Sequence, residues 1–146
     1  MSRVRGVMSK ISIRIGDERF AATFEDERAP QTCAAFRALL PWRGRIVHAR
    51  WSGEACWVPA GDLDLQVGAE AATADAKPGE ILFYPGGISE PELFVPYGQV
   101  RFACNAGPLA GNPLLRITER LERLADVGRD ILWSGARSIV INQETS

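Results

Sequence analysis

Lys10-Ile11-Ser12-Ile13-Arg14-Ile15 and Arg19-Phe20-Ala21-Ala22-Thr23-Phe24, separated by a Gly16-Asp17 step, decide how this chain folds. Isoleucine alternates with polar residues through the first run. A period of two puts every second side chain on one face, the mark of a half-buried strand. Gly16-Asp17 supplies the turn and the second run returns as the partner strand, so the chain opens on a hairpin.

Outward from this hairpin, short strands dominate. The run Pro30 to Leu40 places Cys33, Phe36, Leu39 and Leu40 on one helical stripe, and Pro41 stops it. Gly44 to Trp51 reads as a strand with Val47, Ala49 and Trp51 on one face and Ile46, His48 and Arg50 on the other; Trp51 is expected in the core. Ser52-Gly53-Glu54 turns the chain into a return strand, Ala55 to Pro59. Residues 62–77, Ala-rich and acidic with little periodicity, read as a long surface loop. Strands follow at Glu80–Tyr84, Glu92–Val95 and Gln99–Cys104, the first two joined by the shaped turn Pro85 to Pro91. After a Gly/Pro-rich loop over 105–113, Leu114, Ile117, Leu121 and Leu124 suggest a second helix over 114–127 with Gly128 as its cap. Ser138–Ile141 closes as a last strand.

Eight strands interrupted by only two helices imply a mainly β fold, a closed or nearly closed antiparallel barrel rather than a βαβ sheet. Side chains fill the interior of an eight-stranded barrel, so a binding site is expected on the outer wall or at a rim.

The 146 residues, 46% of them apolar and 24% charged, suit one domain with a real core. Residues 10–146 are read as that domain and residues 1–9 as a flexible leader, basic but without the apolar stretch of a secretory signal. Seventeen basic against eighteen acidic side chains give no electrostatic reason to expect nucleic acid or an anionic membrane as partner. No run approaches the roughly 20 apolar residues of a spanning helix. Cys33, Cys56 and Cys104 are far apart and form no metal-like spacing with His48, the single histidine. A reduced cytoplasm is therefore expected, with no metal and no cofactor.

Two resemblances add to this. Asn105-Ala-Gly-Pro108, followed by Ile117-Thr118, is similar to a stretch of the cyclophilins, and His48-Ala-Arg50 resembles their His-Arg pair with one residue inserted. The blocks His48 to Glu54, Leu82 to Glu90 and Leu109 to Asn112 resemble a bacterial family of unknown function, DUF3830, over most of the chain from Ile11 onward. Both resemblances imply a cyclophilin-like barrel. Carried over by position, Arg50 falls where the cyclophilin catalytic arginine sits, whereas Ala55, Val58, Leu114 and Arg116 replace the phenylalanines and glutamines of the proline pocket.

The residues themselves offer a site around Arg50. Arg50 and Glu54 bracket a Gly-containing turn; together they either clamp a small polar ligand or pin the turn as a salt bridge. His48 shares the face of Arg50, and histidine is the residue type suited to proton transfer near neutrality, but no nucleophile or metal partner is written beside it. Tyr84 and Tyr97 flank the Pro/Gly loop, with Tyr97 placed at a rim between Pro96 and Gly98, where they either wall a pocket or pack the rim. Cys56 and Cys104 sit in apolar strands and read as packing. Gly86-Gly87 lacks the helix that a phosphate loop needs. Three functions follow: binding of a small anionic or amide-bearing ligand in an external cleft, prolyl isomerisation, or service as a non-catalytic subunit or homo-oligomer, for which Trp42 and Trp133 mark a contact surface.

Overall fold

The alternation of the opening hairpin propagates into a closed ring. The structure, a computed structural model, describes residues 10–144; the leader expected over residues 1–9 lies outside them. The elements are β1 (Ile11–Ile15), β2 (Glu18–Phe24), α1 (Pro30–Arg37), β3 (Trp42–His48), β4 (Gly53–Pro59), β5 (Glu80–Tyr84), β6 (Glu92–Val100), β7 (Ala103–Cys104), β8 (Gly107–Pro108), β9 (Asn112–Ile117), α2 (Leu121–Ser134) and β10 (Arg137–Gln143). Eight strands form a closed barrel in the order β9-β2-β1-β10-β3-β4-β6-β5, and β5 pairs with β9 to complete it. Every barrel pairing is antiparallel. β7 and β8 make a separate small hairpin.

Alternation sorts the apolar side chains into two bodies. Ile11, Ile13, Ile15 and Phe20 of the hairpin join Val58, Phe83, Leu93, Ile139 and others in one buried cluster inside the barrel. Cys33 and Phe36 of α1 and Leu124 and Ile131 of α2 belong to the same cluster, so the helices complete the interior. Ala55, Leu82, Tyr84 and Phe94, of the opposite strand parity, pack with Phe102 and Leu109 as a second cluster on the outer wall. That second cluster roots the segment in front of which the candidate site lies.

The long loop over 62–77 is tied down at its middle. Helix α1 has no capping side chain of its own at Ala29. The Glu70 carboxylate instead accepts from the amides of Gln31 (3.0 Å) and Thr32 (2.7 Å), satisfying donors that a helix start leaves open. Asn112 holds this contact from β9, donating to Thr32 Oγ1 and to the Gly68 carbonyl.

Three expectations require correction. The apolar stripe at Leu114 and Ile117 belongs to strand β9, and the second helix begins at Leu121. A register shift between Pro113 and Leu115 buries both Leu114 and Leu115, and this bulge mimics helical spacing. Gly128 is consequently mid-helix, and Gly135 follows the helix end. The strand expected at 92–95 runs on through Pro96 to Val100 as β6, and the one expected at 99–104 is divided between the end of β6 and β7. Trp42, expected on a contact surface, packs half-buried against Phe36 with ring centroids 5.4 Å apart, while Trp133 is 85% exposed.

Candidate functional site

A cleft of about 540 Å³ opens on the outer wall where the chain leaves β3. The alternation expected through Trp51 ends at His48, and residues 50–52 form a bend. Trp51 is therefore not core: it is 56% exposed and lines the cleft with Arg50. The Arg50 guanidinium lies 5.7 Å from the Trp51 ring centroid, a cation–π contact. No carboxylate among the described residues pairs with Arg50. Trp57 of β4 and Phe94 of β6, cross-strand partners, supply apolar surface, and Ser89, Glu92 and Cys104 complete other sides.

His48 lines the cleft, yet both ring nitrogens are engaged: Nδ1 lies 2.8 Å from the Ala49 carbonyl and Nε2 2.8 Å from the Tyr97 hydroxyl. A carbonyl only accepts, so in the neutral ring Nδ1 carries the proton and the Tyr97 hydroxyl donates to Nε2. Tyr97 is not at a rim. Because β6 continues through Pro96, Tyr97 sits inside the barrel at 7% exposure, and burial pushes its phenol upward. Its ring lies against Gly128 of α2, where a Cβ would fall 2.3 Å from a ring carbon.

Glu54 does not join Arg50. The β4–β6 register shifts between Gly53 and Ala55, which face Val100 and Pro96. At this irregularity Glu54 Oε1 accepts from the Gln99 amide at 2.9 Å, standing in for a ladder acceptor. Tyr84 shapes the site from behind: its hydroxyl accepts from the amides of Ile88 (2.9 Å) and Ser89 (3.3 Å), holding the Pro/Gly turn against the wall. Of the five side chains singled out in the sequence, Arg50 and His48 line the cleft, while Glu54, Tyr84 and Tyr97 brace its surroundings.

The residue that sequence reasoning missed is Glu92. It opens β6, is 6% exposed and lines the cleft. Burial, with the nearby negative charge of Glu90, pushes its carboxyl up to about 8. A weak signal was present: alternation through Glu92-Leu-Phe-Val puts Glu92 on the face of Phe94, away from the interior. Cys33 and Cys56 are buried thiols raised to about 12 by desolvation and are not nucleophiles. Among the described residues, no group of three or more His, Cys, Asp or Glu side chains is placed to hold a metal ion, and no helix is long and apolar enough to cross a membrane.

Arg116, which stands at a proline-pocket phenylalanine by resemblance, is committed elsewhere: its Nε and Nη2 both reach the Glu25 carboxylate, at 3.0 to 3.1 Å.

Over residues 11–143 the chain matches the model of a family described as protein of unknown function (DUF3830), and it belongs to that family. Among solved structures it is similar to McbB in complex with tryptophan, with a TM-score of 0.71 at 20% identity over 93% of this chain. The chain spans only 45% of that McbB chain. It is also similar to the hypothetical protein AF2241 from Archaeoglobus fulgidus, with a TM-score of 0.56 at 14% identity over 96% of this chain and 98% of that one. A Cryptosporidium parvum cyclophilin-type peptidyl-prolyl cis-trans isomerase in the presence of the dipeptide Ala-Pro gives 0.55 at 12% identity, over 94% of this chain and 99% of that one. No curated protein matches the chain by sequence. At these identities the likeness is one of fold, a cyclophilin-like barrel.

Proposed function

We propose that this DUF3830 barrel binds a small molecule bearing an anionic or amide group in the outer cleft, with Arg50 as the recognising cation. One observation carries the reading: a guanidinium without a carboxylate partner stands at a cleft that also presents Trp51, Trp57 and Phe94. Arg offers a planar fork to a carboxylate, and the aromatic faces favour an apolar body attached to it. His48, held by Tyr97, and Glu54, held at the Gln99 amide, support the strand ends on either side of the bend that carries Arg50, while Tyr84 holds the neighbouring Pro/Gly turn. The structure of McbB, similar to this chain over 45% of its own length, is a complex with tryptophan, which makes tryptophan a first probe.

Calorimetric titration with a set of aromatic carboxylates, tryptophan among them, tests the reading. Binding that weakens about tenfold or more in Arg50→Ala is expected, as for loss of a charge-assisted hydrogen bond. Equal affinity in the variant, or no binding by any member, would dispose of it.

The isomerase alternative keeps its cation and has Trp57 and Phe94 near it, but not the phenylalanines of the cyclophilin pocket. A proline-peptide isomerisation assay no faster than buffer removes it. The self-assembly alternative rests on Trp133 and Leu132, both exposed on α2. A clean monomer by light scattering at high concentration counts against it.

A further inference from the structure

We infer that Glu92 is a second recognition group of the cleft, so that its ligand is a zwitterion carrying an ammonium beside its acid group rather than a simple anion. This rests on the ligand-binding reading above and names the ligand class.

Five polar or charged residues are buried in the described chain: Glu25, Thr32, Ser52, Glu92 and Asn112. Four are satisfied. Glu25 holds Arg116, Thr32 and Asn112 bond each other and their loop neighbours, and Ser52 donates to the Ala103 carbonyl. Glu92 is the exception, since its carboxyl has no hydrogen bond or ion pair among the described residues. Its cross-strand neighbours leave it unpaired: Pro59 carries no polar side chain, and the Tyr84 hydroxyl lies on the Ile88 and Ser89 amides rather than on Glu92. Buried polar groups are nearly always paired, and an exception lining a cleft signals a partner that comes from outside.

The charges around Glu92 select that partner. The charge of Glu90 acts on it and is negative, while His48, Arg50 and Cys104 line the same cleft. The cleft therefore joins a fixed cation at one place to a desolvated carboxyl at another. An ammonium supplies what Glu92 lacks, both hydrogen-bond donors and a counter-charge. Raised by burial, Glu92 is mostly protonated at pH 7 in the free protein. A docking ammonium keeps its own protons and favours the carboxylate, so the carboxyl proton leaves to buffer, close to one per ligand bound. A ligand with no ammonium leaves that proton in place.

Three compounds on one frame separate the roles: phenylalanine with both charges, 3-phenylpropionate with the acid alone, and phenethylamine with the amine alone. Calorimetry at pH 7 in phosphate and in Tris, whose ionisation enthalpies differ, measures affinity and proton release together. Phenylalanine is expected to bind about tenfold or more tighter than 3-phenylpropionate, with close to one proton released against none. In Glu92→Gln the preference and the release disappear while 3-phenylpropionate binds as before. Arg50→Ala weakens 3-phenylpropionate and spares phenethylamine. Equal affinity of phenylalanine and 3-phenylpropionate, or release that survives in Glu92→Gln, would overturn the role of Glu92 and leave that of Arg50 standing. No binding by any of the three would overturn the cleft reading and this inference with it. The comparison of ligands on the unaltered protein needs no variant to fold.

Discussion

Glu92 illustrates how one side chain can be costly to the fold and useful to the site. Its carboxyl is raised to about 8 from an ordinary value near 4.5, because burial disfavours the charged form and Glu90 adds repulsion. The folded chain thus holds a proton that the unfolded chain releases between those two values. Stability tied to this group is intact below about pH 4.5 and is lost as pH rises towards 8. Glu92→Gln, neutral at every pH, is expected to match the unaltered protein at pH 4 and to exceed it by roughly 3 kcal/mol at pH 9, less than the full shift because the cleft admits water. Urea unfolding at the two pH values checks this, and parallel curves would contradict it. In the sequence this residue is merely the polar start of an apolar run, and nothing local says that its cross-strand neighbours are Pro59 and Tyr84. That Arg50 lines the cleft was suggested by the resemblance, whereas alternation set it on the face of Ile46, which is buried. The partner expected for it, Glu54, was misread, because the register shift that employs Glu54 at the Gln99 amide arises between distant strands.

At the scale of elements, the contact between β6 and α2 fixes the interior behind the site. Tyr97 reaches His48 only because Gly128 leaves room for its ring on α2. Gly128→Ala would ordinarily help a helix by about 1 kcal/mol. Here the added Cβ falls 2.3 Å from a Tyr97 ring carbon, so a net loss of roughly 1–3 kcal/mol is expected from overpacking. Chemical unfolding measures it, and a stabilised variant would show that the helix sits farther from β6. The same pair explains why Gly128 misreads as a cap: a glycine chosen for close approach and one chosen for a left-handed turn look alike in a sequence. The hairpin β1–β2 was readable to within a residue because strict alternation has one interpretation. Leu114 to Leu124 had two, since a bulged strand running into a helix reproduces a helical stripe over a short window.

For the molecule as a whole, closure of the ring decides where a ligand can dock. β9 joins β2 to β5, with Leu115 opposite both Phe24 and Ile81, pairings that bring together residues far apart in the chain. Composition and strand count implied a barrel, but only the register shows that the ring closes, and side chains then fill it. The proposed recognition then falls to the outer wall, where Arg50 of the bend after β3 lines one cleft with Trp51, Trp57, Phe94 and Glu92. Amide chemical shifts followed by NMR during a phenylalanine titration test this location most directly. The largest changes are expected at His48 to Ser52, Trp57, Glu92, Cys104 and Asn105, with the β1–β10 wall unmoved. Largest changes on the β1–β10 wall or along α2, or no change at millimolar phenylalanine, would contradict it.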